Sequence, residues 1–529
     1  MPTLEWIGKD KVINHHQEVP FRVLERKYSF DENGQTDADN GSENMIIRGD
    51  NLEALKALLP RYEGRVKCIY IDPPYNTGNE GWVYNDNVND PKIKKWLGEV
   101  VGKEGEDLTR HDKWLCMMYP RLKLLQKLLH PTDGSIFISI DENEIQNLKL
   151  ICNEIFGSSH HVATIAWQKR YSRENRGAIG DAHEYILVYA SDVEIFKVIR
   201  HKVEFDENSA KVYKNPNNDP KGRWRAVPMT AQGYRPNQMY PITTPSGKVC
   251  YPPQGRCWST VESEYKKLLE AGRIYFGKHG DSQPSTIRYL SEVEGMIPWT
   301  WWPHEEVGHT DEAKKEIITI LGKADSFDTP KPSRLLKRIL QIATNPDDII
   351  LDSFAGSGTT AHAVLNMNKA DGGKRKFILV EMMDYADSIT AERVKRVIHG
   401  YGEGKKAVEG TGGSFGFYEL GEPLLIGDCL NEAVGTEKIR EYIWFTETKR
   451  PYAPSRGGNP YYLGENNHTG YYFYYEPDRM TVLDYAFLST ITEKTEGAVI
   501  YADRCAISQD KLVEMEIMFK KIPRDISRL

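Results

Sequence analysis

The sequence predicts an α/β fold on an open, mostly parallel, Rossmann-like sheet, and three observations carry that expectation. The first is a strand–turn–helix–strand unit between Asp347 and Glu381, DDIILDSFAGSGTTAHAVLNMNKADGGKRKFILVE. The second is a strand, Val66–Asp72, that runs straight into Asp72-Pro73-Pro74-Tyr75. The third is a gap. From about residue 196 to 328 the alternation of strand and helix patterns is lost, so the α/β rhythm falls into two stretches on either side.

In the Asp347–Glu381 unit, the apolar run from Ile349 reads as a buried parallel strand, because both its faces must be covered. It ends in Phe354-Ala355-Gly356-Ser357-Gly358-Thr359, where Gly356 and Gly358 let backbone approach a ligand that side chains would exclude. The second strand, from Phe377, closes on Glu381, at the distance of a ribose-binding acid. The pattern Gly356-x-Gly358-x-x-Ala361 also satisfies a dinucleotide fingerprint, so a nicotinamide-dependent dehydrogenase stays open on this stretch alone. No Gly-Lys-[Ser/Thr] follows, which excludes a P-loop.

A chain of 529 residues exceeds one core and should hold about two to four domains. Its 40% hydrophobic and 27% charged residues are ordinary for a soluble globular protein. No apolar run reaches membrane-spanning length and MPTLEWIGKD holds no signal-peptide core, so a cytoplasmic location is expected. The seven cysteines are scattered; Cys250 and Cys257 lie closest, with no second pair at ligand spacing, so no metal is expected. A net charge of −7 argues against an unspecific basic protein, although a local positive cleft still suffices for nucleic acid.

In chain order, residues 1–44 read as an arm ending in a flexible acidic linker, DENGQTDADNGSEN. Met45–Arg48 is a short strand, and Asp50 or Asn51 then caps the helix LEALKALL, with a ligand contact compatible at the same strand end. After Val66–Asp72 two prolines fix a stiff turn beyond the strand's carboxyl end, where open α/β sheets bind ligands. A carboxylate, a rigid carbonyl and an aromatic ring are presented together there. A polar, aromatic-containing loop occupies 79–112, placed to close over a base or contact DNA. Helix 118–129, strand 135–140, helix 144–156 and strands near 162–168 and 184–189 continue the rhythm. Between those last strands, Lys169, Arg170 and Arg173 with Tyr171 form a basic segment suited to phosphate. The central stretch carries Arg223, Arg225 and Arg235 among aromatics, able to read guanine edges or hold phosphates. Trp299, Trp301 and Trp302 read as core. Residues 421–529 show strand-like GYYFYYE and GAVIYAD and the helix-like KLVEMEIMFKK, enough for a small α/β appendage.

Asp72-Pro73-Pro74-Tyr75 resembles the catalytic motif of amino-methylating DNA methyltransferases, and Phe354–Gly358 their S-adenosylmethionine loop. The catalytic motif precedes the cofactor loop, the permuted order of the beta class. With GDNLEAL, GSIFISID, HEYILVYA, TPKPSRLLKRI and ITAERVKRVIHGY, the stretch from 45 to 420 resembles the modification subunit of type III restriction-modification systems. The short motifs are individually weak; their joint order and spacing are specific.

The resemblance implies a permuted Rossmann-like S-adenosylmethionine-dependent methyltransferase sheet. It divides the chain into an arm (1–44), a catalytic half (45–195), a target-recognition domain (196–328), a cofactor half (329–420) and the appendage (421–529). Asp72, Pro73, Pro74 and Tyr75 are the expected catalytic residues. Asp50, Asn51, Asp72, Lys331, Ser333, Asp352, Phe354, Ala355, Gly356, Gly358, Thr359 and Glu381 are the expected cofactor contacts. Asp72 and the Pro73 carbonyl would accept the two N–H bonds of an exocyclic amine, and Tyr75 would stack on a base drawn out of the duplex. Asp rather than Ser at 72 favours adenine N6 over cytosine N4. Cytosine C5 methylation needs a Pro-Cys pair, and the chain has none. Duplex DNA, a homodimer and, for cleavage, a separate restriction (helicase/nuclease) subunit are the expected partners; an orphan or other defence-linked methylase is the alternative.

Overall fold

The computed structural model describes residues 3–76, 99, 110–172, 178–203, 210–322, 327–450, 452–453 and 458–524. Two compact units emerge, one of Met1–Arg200 with Trp299–Leu529, the other of His201–Pro298.

The larger unit is built on an eleven-stranded sheet among the described residues. Its strands are β1 (Arg22–Asp31), β2 (Gly34–Thr36), β3 (Met45–Arg48), β4 (Cys68–Ile71), β5 (Ser135–Ile140), β6 (His161–Gln168), β7 (His183–Ala190), β8 (Trp301–Trp302), β9 (Ile349–Asp352), β10 (Lys376–Glu381) and β11 (Phe415–Pro423). In space they run β8-β6-β7-β5-β4-β9-β10-β3-β11-β1-β2. From β5 to β11 neighbours are parallel; β7 and β1 join antiparallel. Helices α1 (Asn51–Tyr62), α2 (Arg110–Leu128), α3 (Ile145–Ile155), α4 (Thr310–Leu321), α5 (Ser333–Ala343), α6 (Thr359–Asp371) and α7 (Glu392–His399) belong to the same unit.

Covering both sheet faces accounts for the apolar strands: Ile69, Ile71, Ile136, Ile138, Leu351, Ile378 and Val380 are fully buried. The α5 helix shows the matching pattern, with Leu335, Leu336, Ile339 and Leu340 inside and Arg334 and Lys337 outside. One feature of the order positions the site. Although far apart in sequence, β4 and β9 are neighbours, and the chain leaves them toward opposite sides of the sheet, to β5 and to β10. Such a switch point opens a crevice at the carboxyl ends of the strands. Asp72 follows β4 and Asp352 ends β9.

Several expectations are corrected. Residues 1–44 are not a free arm: β1 and β2 form a hairpin on the sheet, and β1 pairs with β11. Buried Tyr28 and Phe30 hold it there, Tyr28 lying parallel to Phe417 at 5.0 Å and Phe30 stacking on Phe415 at 5.7 Å. Acidic composition at 31–44 masked that aromatic alternation. The contact boundaries of the inserted unit fall at 201 and 298, inside the expected 196–328. Trp302 is buried, but Trp301, its neighbour on the edge strand β8, faces outward and is 43% exposed, and Trp299, before the strand, is 60% exposed. KLVEMEIMFKK is helix only over Gln509–Glu514; Glu516 takes φ of 55° and Ile517–Lys521 becomes a strand paired parallel with Gly497–Ala502. Apart from residue 99 and the start of α2, the 79–112 loop lies outside the described residues.

Candidate active site

After β9 the chain turns through the glycine loop into α6. Gly356 and Gly358 have φ of 53° and 80°, which L side chains rarely adopt. A Cβ on Gly358 would stand 3.0 Å from the Thr390 carbonyl oxygen. The loop is pinned from both sides: the Gly356 amide donates to Glu381 Oε2 at 2.8 Å, and the Thr390 hydroxyl donates to the Gly356 carbonyl at 2.5 Å. Glu381 Oε1 accepts from the Met383 amide at 3.0 Å. Asp352 accepts from the Thr360 hydroxyl and the Phe354 amide, and burial pushes its carboxyl up to about 7 despite both bonds.

Behind the Pro-Pro turn the fold is equally tied down. The Trp114 indole donates to the Pro74 carbonyl at 2.6 Å, and Asn76, at φ of 59°, donates to fully buried Glu144. The turn delivers Asp72 into a buried ionic group. Lys331 Nζ donates to Asp72 Oδ1 and Oδ2 at 2.9 and 2.8 Å and to Tyr75 Oη at 2.8 Å. The Tyr75 hydroxyl reaches Asp72 Oδ1 at 2.8 Å and Glu184 Oε2 at 3.0 Å. Glu184 in turn accepts from Lys169 at 3.1 Å and lies 3.6 Å from Lys331. Two carboxylates and two ammoniums thus balance. Burial raises the Asp72 carboxyl while Lys331 opposes it. Burial alone would lower Lys331, but Asp72 and Glu184 outweigh it and hold the ammonium charged. Glu184 is held below its usual range, against burial, by Lys331 and Lys169.

Asp72, Lys331, Asp352, Phe354, Ala355, Gly356 and Thr359 line one cavity. The glycine cradle and the flanking carboxylates Asp352 and Glu381 fit a ligand with hydroxyls and a cationic end. Glu381→Ala removes the acceptor that anchors the Gly356 amide, and, on the expectation that Glu381 also binds a ribose, cofactor affinity should fall by about 1.5–3 kcal/mol; calorimetric titration measures it, and undiminished affinity would count against that role.

Other expected contacts are engaged elsewhere. Asp50 caps α1, accepting from the Leu52 and Glu53 amides at 2.8 and 3.2 Å, and lines a separate open depression with Met382 and Asp384. Asn51 donates to the Ser353 carbonyl at 3.2 Å and is held by buried Arg121. The Ser333 hydroxyl donates to Glu316 at 2.5 Å. Glu316 in turn accepts from Arg393 at 3.0 Å, and Arg393 donates to the Ser357 and Thr359 hydroxyls at 2.9 and 2.7 Å. Arg393, on α7, is fully buried. Sequence reasoning missed it, along with Glu184 and Trp114. Glu184 left one trace, a charge opening the otherwise apolar run of HEYILVYA.

Of the expected DNA contacts, Lys169 is committed to Glu184, because a carboxylate this buried requires a counter-charge. Arg170 is exposed, and Arg173 lies outside the described residues. In the smaller unit Arg223 and Arg235 are exposed, Arg235 donating to Gln238 at 3.3 Å. Arg225 is half-buried with its guanidinium 5.2 Å from the Tyr213 ring. Among the described residues no cluster of three or more His, Cys, Asp or Glu is placed to hold a metal, and no helix is long and apolar enough to cross a membrane.

Residues 66–443 match the family described as DNA methylase, and the chain belongs to it. The type III restriction-modification enzyme StyLTI Mod subunit of Salmonella typhimurium is 38% identical over 426 residues, 74% of this chain and 62% of that protein. The EcoPI Mod subunit of an Escherichia phage is 33% identical, over 72% of this chain and 63% of its own length. The type II methyltransferase M.KpnI of Klebsiella pneumoniae is 30% identical, over 67% of this chain and 84% of that protein. The chain therefore spans about three-fifths of the type III relatives. The match lies with methylases, and it gives the dehydrogenase reading no support.

Proposed function

We propose that this chain transfers a methyl group from S-adenosylmethionine to the N6 amine of adenine in duplex DNA, as the modification component of a type III-like restriction system. The observation that carries the reading is the convergence of Asp72 and the glycine loop on one cavity at the switch point. Bound there, S-adenosylmethionine would supply an already activated methyl group. The protein's own part is alignment and electrostatics. Asp72 and the buried Pro73 carbonyl accept the amine's two N–H bonds, drawing its lone pair out of the ring. Tyr75 offers a face to a base rotated out of the duplex.

Asp at 72, and relatives named as type III Mod subunits, favour this reading over cytosine N4. Similarity to type II methyltransferases supports a stand-alone methylase as the second reading. The smaller unit, with Arg223, Arg225 and Arg235, is the proposed target reader, and Arg170 and Arg173 the proposed phosphate contacts of the larger one. A homodimer and a separate restriction subunit complete the proposal. The test is genomic DNA from cells expressing the chain, digested to nucleosides and read by mass spectrometry. N6-methyladenine confined to one sequence motif is expected. A product of 4-methylcytosine would overturn the adenine assignment.

A further inference from the structure

The Lys331 ammonium occupies the place the reaction needs. It donates to both Asp72 oxygens, the acceptors assigned to the target amine. It lies 4.9 Å from the centroid of the Tyr75 ring, the face assigned to the target base, and 5.9 Å from that of Trp167. While it stays, Asp72 has little capacity for another donor, and a second positive charge in the same cavity is repelled. A second acceptor stands beside it: Glu184 Oε2, 3.6 Å away, already sharing the Tyr75 hydroxyl with Asp72. The backbone there is fixed by Pro330 and Pro332, and by the Thr359 hydroxyl donating to the Lys331 carbonyl at 3.2 Å. The four-carbon stem is not so fixed, and can swing the charge while its root stays put.

We propose that Lys331 is a resident counter-ion on Asp72, passed to Glu184 when the cofactor's sulfonium and the target amine claim that carboxylate. This rests on the cavity's being the S-adenosylmethionine site. Lys331 is then a positioning residue: it keeps Asp72 anionic in the empty protein and withdraws on loading. Glu184 is its second station, and Lys169 keeps that station charged without adding net charge to the buried group.

Isothermal titration of the full chain with S-adenosylmethionine, whose sulfur is charged, and S-adenosylhomocysteine, whose sulfur is neutral, tests this. The readout is the ratio of the two affinities in the unaltered protein, Lys331→Met, Glu184→Gln and the double variant. With Asp72 left uncovered, Lys331→Met should move the ratio about tenfold or more toward the sulfonium. With no second station, Glu184→Gln should move it about tenfold or more the other way. In the Lys331→Met background, Glu184→Gln should have less than about a threefold effect, since no charge remains to be moved. A purely structural role would weaken both ligands together and leave the ratio alone. A ratio within about twofold of the unaltered protein in both single variants overturns the proposal. So does a Glu184→Gln effect that persists undiminished without Lys331, which would be direct attraction to the sulfonium. Thermal melts accompany each variant, and Lys331→Gln replaces Lys331→Met, with the same expectations, if the latter fails to fold. An unaltered protein that binds neither ligand overturns the cofactor reading itself, an outcome distinct from an unchanged ratio.

Discussion

Asp72→Ala should lose methyl transfer by at least about a hundredfold, the scale of removing one preorganised electrostatic contact from a transition state. The reason is local. Asp72 alone brings a carboxylate from the end of β4 into the cavity beside the glycine loop. The substitution leaves Lys331 and Lys169 to share Glu184 alone, an unbalanced buried charge, so stability should fall as well, and a thermal melt separates that loss from the loss of turnover. DNA affinity should change less than turnover, since phosphate contacts dominate it. The assay is transfer of labelled methyl to duplex DNA at saturating cofactor, paired with a binding isotherm at fixed salt. Asp72→Ala turnover at the parental rate would remove Asp72 from the mechanism.

Arg393→Met should be the most destabilising single change at the site. Its guanidinium is fully buried and ties together Glu316, the Ser357 and Thr359 hydroxyls and His362. Removing the guanidinium leaves Glu316 without its counter-charge, at about 3–5 kcal/mol. Loss of both loop hydroxyl contacts should also weaken S-adenosylmethionine binding. Urea unfolding reads the first effect and calorimetry the second. An unchanged urea midpoint would show that the pair contributes nothing net.

What the sequence revealed and what it hid divide along one physical line. Turn chemistry is local, so the Asp72–Tyr75 turn and the Phe354–Gly358 loop were legible from prolines and glycines alone. Strand existence was legible from apolar runs; Ser135–Ile140 and Met45–Arg48 match to the residue. The partnerships were not. Lys331 meets an aspartate 259 positions away, and Arg393 meets a serine 36 away. No periodicity announces such pairs. Ser333 sits in the expected motif, yet nothing local points to Glu316 as the acceptor of its hydroxyl. Residues 1–44 show the converse, where the acidic composition of 31–44 outweighed Tyr28 and Phe30 just before it, whose partners lie near residue 416. For Ile517–Lys521, sheet pairing overrode a helical pattern.

The position of β3 has a consequence for synthesis. Its neighbours on the two sides, β10 and β11, are both made long after it, the nearer roughly 330 residues later. At about 5–20 residues per second, a ribosome needs roughly 15–65 s to deliver the first of them. Through that interval a short apolar strand has neither edge covered by its final partner, and the glycine loop has not yet been made. Premature termination between residues 76 and 376 thus yields a polypeptide that holds the Asp72 turn but lacks β10, the strand that joins β3 to β9 and so to the β4 side of the sheet. Such fragments present open sheet edges, the template for aggregation. The order of motifs along the chain means that the Asp72 turn is translated long before the glycine loop with which it lines one cavity.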